Sequence, residues 1–144
     1  MTALAANGNL DYRGPFILRQ YPMGAAKKVW KGSKVVLDTT TGLAEAATDA
    51  ANKKVVGVAT KACDNSLGAA GALNCEVLVG EVKVEGSSLE QVDVGKLVYI
   101  IDDATVGDGT AASNDIPSGT MTEYISATEC WENVLEGVAG LAST

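Results

Sequence analysis

The 144-residue sequence contains no histidine. This absence excludes Ser-His-Asp triads, Cys-His dyads, imidazole-based zinc sites and acid–base catalysis by histidine near neutral pH. Most known routes to enzymatic activity are closed in this way. We therefore predict that the protein is not an enzyme and that it carries no cofactor.

Long apolar runs are also missing, and a transmembrane helix needs roughly twenty apolar residues in succession. Residues 1–9 have neither a positive start nor an apolar stretch of the kind found in a secretory signal. Proline is scarce, with 3 residues, while 47% of the chain is hydrophobic, which is enough to build a core. The composition predicts one globular domain without a membrane partner.

Cysteine is rare and its count is odd: Cys63, Cys75 and Cys130. No two of them have the spacing of metal ligands, and no histidine is present to complete a site. We expect reduced, metal-free thiols that pack as small apolar side chains. A Cys63–Cys75 bridge remains open, because both residues flank a turn-rich stretch.

The net charge changes sign along the chain, from positive at the start to negative in the rest. Residues 1–34 have a net charge of +5, whereas residues 35–144 have a net charge of −12. Phosphate binding needs a positive face, so the acidic body argues against a nucleic-acid partner. Both arginines and three of the seven aromatic residues lie in the first 21 positions, and such residues concentrate in protein interfaces.

Residues 1–22 are predicted to form an extended arm, mobile alone and ordered on a partner. Gly14, Pro15 and Pro22 interrupt this segment, and its apolar trio has no partner within it. The alternative is an ordinary first strand of the domain. The residues expected to bind the partner are Tyr12, Arg13, Phe16, Ile17, Leu18, Arg19 and Tyr21.

Residues 23–144 are predicted to form an all-β domain, a small barrel or sandwich, because short β-branched segments alternate with turns rich in glycine, asparagine and aspartate. One turn of helix is expected at residues 88–91, where Ser88 and Gln91 have capping-box spacing. Trp30 and Trp131 are expected to anchor the core. The other residues predicted to be buried are Val35, Leu37, Val56, Val58, Leu78, Val82, Val98, Ile100 and Ile125.

Two short motifs are similar to known binding loops but lack residues that those loops require. Gly95-Lys96 lacks both the earlier glycine and the following serine or threonine of a phosphate-binding loop. The acidic stretch 102–109 lacks the ligand alternation of a calcium loop. We expect no metal site. Carboxylate pairs that would support glycoside hydrolysis stay open, because the fold sets their spacing.

Several stretches, taken in order, resemble the head decoration (cement) proteins of tailed phages. They are 31–38 (KGSKVVLD), 54–59 (KVVGVA), 64–71 (DNSLGAAG), 94–106 (VGKLVYIIDDATV) and 117–120 (PSGT). Each one is only a turn joined to a strand, so their order and spacing carry the resemblance. The segment from Trp131 to the end departs from it.

The resemblance implies a structural role. Residues 23–144 would be a β-barrel decoration domain that binds the outer surface of an assembled phage head and clamps neighbouring major capsid protein subunits. It further implies a homotrimer on the virion surface, made in the host cytoplasm. The alternatives are a receptor-binding or fibre-type β module of the virion and, less favoured, a carboxylate-based hydrolase.

Overall fold

A computed structural model describes residues 3–110 and 112–134. Within these ranges the chain is all-β, which confirms the predicted fold class. The strands are β1 (Tyr12–Pro22), β2 (Lys27–Val29), β3 (Lys34–Asp38), β4 (Ala44–Ala46), β5 (Lys53–Ala59), β6 (Cys63–Asn65), β7 (Asn74–Ser87), β8 (Leu97–Ile100), β9 (Thr105–Gly107), β10 (Pro117–Ser126) and β11 (Glu129–Val134).

Five strands close into a barrel, in the order β7, β9, β8, β10 and β11, with β11 pairing back to β7. Strand β9 runs parallel to β7, and the other neighbours in the ring are antiparallel. Strands β10 and β11 form a hairpin, as the short connection between their apolar segments predicts. Closure leaves these strands without free edges along the paired stretches.

The 14-residue strand β7 extends beyond the barrel and organises the other strands. Its Glu81 and Val82 pair with β1 and also with β11, so β1 and β11 lie on opposite edges of β7. Strand β5 pairs with β7 opposite β1, and β3 and β4 follow outward from β5. Strands β2 and β6 form a separate two-stranded sheet.

The core lies on both faces of the β3–β5–β7 sheet. One face packs Val35, Val56 and Val77 against Met23 and Val29. The opposite face turns toward the barrel interior, which a second and a third cluster fill. A strand that is buried on both faces has a nearly continuous apolar sequence, because side chains on either face avoid water. This explains the consecutive valines of β3 and β5.

Eight of the nine residues predicted to be buried are buried, and Ile125 is the exception at 40% exposure. Register shifts in β10 after Met121 and after Tyr124 explain the error. Each bulge breaks the two-residue alternation of side chains. Ile125 therefore lies outside the barrel.

The predicted helical turn lies further along the chain than expected. A three-residue 3₁₀ helix spans Gln91–Asp93, and Glu90 is its N-cap. The Glu90 N–H donates to the Asp93 carboxylate at 2.9 Å, in place of the expected pairing of Ser88 with Gln91. No helix among the described residues is long and apolar enough to cross a membrane.

Candidate functional site

Residues 12–22 form strand β1, which pairs antiparallel with β7 through nine residue pairs, from Tyr12–Val82 to Pro22–Asn74. The segment is extended as predicted, but it is ordered on its own chain, so the expectation of an unpaired mobile arm is wrong. Its partner strand begins more than fifty residues later, beyond the reach of local pattern analysis.

A bulge divides β1 into two parts. Four steps from Tyr12 to Phe16 oppose two steps on β7, from Val82 to Gly80. Gly14, at the bulge, has φ +72°, which glycine adopts without strain, and Pro15 has no N–H to leave unpaired. The bulge brings the Tyr12 and Phe16 rings into edge-to-face contact, with centroids 5.0 Å apart.

Four large apolar side chains of β1 are exposed to solvent: Tyr12 by 48%, Phe16 by 43%, Ile17 by 48% and Leu18 by 51%. We call these four residues the β1 patch. Several large apolar side chains exposed on one strand are typical of an interaction site. The patch is the strongest candidate binding surface among the described residues.

A shallow open groove of about 320 Å³ borders the β1 patch. Its lining consists of residues from three strands: Pro15, Phe16 and Ile17 of β1, Val79 and Gly80 of β7, and Asn133 and Val134 of β11. A Cβ on Gly80 would meet the Phe16 Cβ at 2.9 Å, so glycine is what allows β1 to pack this closely.

Arg13 is engaged with its own chain. Its Nε and Nη2 donate to the two carboxylate oxygens of Glu81 at 2.9 and 3.0 Å, and Nη2 also donates to Glu123 at 2.9 Å. The guanidinium lies over the Trp131 ring, 4.1 Å from its centroid. Arg13 therefore fastens β1 to the barrel, and its predicted part in binding a partner stays a prediction.

These contacts favour the charged forms of Arg13 and Glu81. Hydrogen bonds from Arg13 and then from the Thr122 hydroxyl hold the pKa of Glu81 below its ordinary value. The same hydrogen bonds from Glu81 and Glu123 raise the pKa of Arg13. A solvent-exposed bidentate ion pair of this type fixes the orientation of its two side chains more than it adds to folding stability.

Two further predicted site residues occupy different surroundings. Tyr21 is half-buried and packs against the core cluster that contains Cys75 and Val77. Arg19 is exposed on β1, opposite Val77 in register. The structure thus exposes Tyr12, Phe16, Ile17 and Leu18 on one strand, with Ile17 on the sheet face opposite to Phe16 and Leu18, and gives Arg13 and Tyr21 structural contacts.

Both tryptophans lie near the protein surface, Trp131 on the barrel strand β11 and Trp30 directly after β2, which corrects the expectation that they anchor the core. Each is half-buried and covered by a cation: Arg13 lies over Trp131, and Lys28 lies 3.9 Å from the centroid of Trp30. A Trp ring is the preferred aromatic partner of a cation, and covering it this way shields it from water without placing it in the core.

The three cysteines are free thiols. Cys75 and Cys130 are buried in core clusters, where burial raises the pKa of each thiol to about 12. Cys63 is half-buried, and burial raises its pKa as well. Their packing agrees with the role predicted for them, and the Cys63–Cys75 bridge is absent from the structure.

The acidic stretch after β8 has a structural role. Asp103 accepts a hydrogen bond from the Leu4 N–H at 2.9 Å and another from the Ser33 hydroxyl at 3.0 Å. Burial raises the pKa of this carboxyl group. Within residues 3–110 and 112–134, no three cysteine, aspartate or glutamate side chains are grouped so that they would hold a metal ion.

No protein-family model matches this chain, and no curated protein matches it at a significant level. The case for a function therefore rests on the sequence, the barrel and the β1 patch.

Proposed function

We propose that the protein is a capsid decoration protein that binds the outer surface of an assembled phage head and clamps neighbouring major capsid protein subunits. The β1 patch carries this proposal: it offers four exposed apolar side chains on a strand that is already ordered. The order of turn-to-strand segments that resembles phage cement proteins supports it independently.

A pre-ordered binding strand suits a clamp. The pairing of β1 with β7 and the contacts of Arg13 hold Phe16, Ile17 and Leu18 in place before any partner arrives. Less conformational entropy is then lost on binding than for a free arm. Burying these side chains in an apolar depression of the partner would contribute roughly 1.5–3 kcal/mol each for complete burial.

The clamp also gains from repetition. One chain of 14.7 kDa is small relative to the junction of several coat subunits. A homotrimer over a threefold axis would present three β1 patches together, and linked sites increase avidity without new contacts. The trimer and the location on the outer virion surface, after synthesis in the host cytoplasm, belong to the same proposal.

Co-sedimentation with purified phage heads tests the proposal. We expect the protein to pellet with expanded heads at a stoichiometry near the number of coat subunits or trimers, and to stay in the supernatant without heads. Imaging of decorated heads by electron microscopy should show density spread over the whole shell. Density confined to the tail or vertices would favour a receptor-binding or fibre module, and absence from every pellet would contradict the proposal.

A further inference from the structure

An ion pair lies inside the barrel, apart from the β1 patch. The ammonium of Lys34, at the start of β3, contacts Oε1 of Glu132 on β11. Their side chains are only 2% and 0% exposed. The Ser118 hydroxyl donates to Oε1 of Glu132 at 3.0 Å. Among the described residues, Oε2 of Glu132 has no partner, and Lys34 Nζ makes no well-formed hydrogen bond.

The strand neighbours of the pair are apolar. Glu132 lies in register between Val82 of β7 and Met121 of β10, both buried. Lys34 pairs in register with buried Val58. Removing two charges from water is costly, and their attraction repays that cost only when the remaining polar atoms are satisfied. Here Lys34 Nζ and Glu132 Oε2 lack hydrogen bonds, so the charged form of the pair is energetically unfavourable at this site.

We propose that Lys34 and Glu132 condense into an intramolecular amide between Nζ and Cδ, a covalent link between β3 and β11. The reaction releases one water molecule and needs no oxidant, reductant or further reagent. Its product is a neutral amide, which the apolar interior accommodates more easily than two opposite charges.

The contacts supply each step of the condensation. Within this contact a proton passes from the ammonium to the Glu132 carboxylate, where Oε2 carries it, and a neutral amine is left beside a carboxylic acid. The amine attacks Cδ while the Ser118 hydroxyl stabilises the negative charge that develops on Oε1. A proton then passes from nitrogen to Oε2, the C–Oε2 bond breaks, and water departs.

The structure also provides an exit for that water. A cavity of about 660 Å³ lies between residues 3–11 and the barrel. Lys34 lines it together with apolar residues such as Val58 and Val82 and with the charged residues Lys83, Glu85 and Asp103. Oε1 remains as the amide oxygen, still hydrogen-bonded to Ser118. The link would close a covalent loop from β3 to β11, which restricts the unfolded chain in the same manner as a disulfide.

A second ion pair of the same chain serves as a control. Lys53 contacts Glu45 and Asp38, and the side chains of Lys53 and Glu45 are 15% and 14% exposed. Water reaches this pair, and additional charges satisfy it, because Lys27 also bonds Glu45. We therefore expect no condensation between Lys53 and Glu45.

Intact-mass spectrometry of the denatured full-length chain tests the proposal. The wild type should be lighter than its sequence mass by one water. Trypsin should leave the bond after Lys34 uncut and give one branched peptide containing both Lys34 and Glu132. Lys34→Met should have its full sequence mass, whereas Lys53→Met should still lose one water.

Glu132→Gln gives a stricter test, because the same amide then forms by loss of ammonia and the final mass equals that of the linked wild type. A wild-type chain at its full sequence mass, cut by trypsin after Lys34, would overturn the proposal. Loss of water with separate Lys34 and Glu132 peptides would overturn it too. The wild-type measurement decides the matter even if Lys34→Met does not fold.

Discussion

The guanidinium carbon of Arg13 lies 4.1 Å from the centre of the Trp131 ring, so a side chain of β1 crosses β7 and rests on β11. Glu81 of β7 lies opposite Arg13 in register and binds Arg13 with both carboxylate oxygens. The strand that carries the β1 patch is therefore fastened to the barrel across two strand boundaries. This attachment turns an expected flexible arm into a rigid binding edge.

Replacing Arg13 with Gln should loosen β1. The variant loses two hydrogen bonds to Glu81, one to Glu123 and the stacking on Trp131. We expect faster amide hydrogen exchange across β1 and a lower melting temperature. Lys61→Gln, an equal change of charge at an exposed loop position, is the control. Equal exchange rates for β1 in the two variants would contradict the role of Arg13.

Deleting residues 1–21 should destabilise the body. The deletion strips β1 from one edge of β7 and uncovers backbone groups and side chains beside buried Val77 and Leu78. We expect a loss of about 3 kcal/mol or more in the free energy of unfolding, measured by urea denaturation. A truncated protein as stable as the full chain would show that β1 is an independent appendage.

The thiols should react in the order of their exposure. Cys63 is half-buried, whereas Cys75 and Cys130 are buried with pKa values raised to about 12, and the thiolate is the reactive form. Alkylation of the native protein at pH 8 should therefore modify Cys63 first, with the other two reacting only after denaturation. Cys75→Ala and Cys130→Ala should each cost about 1 kcal/mol in folding stability, and Cys63→Ala less. Equal native reactivity of all three thiols would refute this.

Glu81 should contribute to the loss of folding stability at acidic pH. Its pKa is lower in the folded protein than the ordinary value of 4.5, so its contribution is present above pH 4.5 and is lost as the pH falls below that value. Glu81→Gln should be less stable than the wild type at pH 7, and the difference should shrink as the pH falls below 4.5. Thermal melts from pH 3 to 7 measure this, and a constant difference would be inconsistent with the assigned pKa.

The strand-forming segments could be predicted from the sequence, because apolar alternation and turn residues are local signals. The burial of Val35, Leu78 and Ile100 follows from the same pattern. The apolar alternation does not reveal the bulges in β1 and β10, and those in β10 explain why Ile125 is exposed although it was predicted to be buried.

Long-range pairing explains the errors at the site. The composition of the first 21 residues indicates Phe16 and Leu18 as binding residues. It does not indicate that they belong to a paired strand, because their partners on β7 lie some sixty residues away in sequence. No local signal indicated that Arg13 would meet Glu81, Glu123 and Trp131. Gly80 was the nearest hint, since a glycine within a strand often permits the close approach of another segment.

Co-sedimentation of a Phe16→Ala, Leu18→Ala double variant with expanded phage heads tests the central claim most directly. The matched control is Leu67→Ala with Val92→Ala, two exposed apolar residues outside β1. The β1 variant should keep its melting temperature and bind at least about tenfold more weakly than the wild type, since apolar anchors dominate interfaces. The control should bind as the wild type does. Equal affinity of the β1 variant and the wild type would contradict the claim that the β1 patch is the clamp.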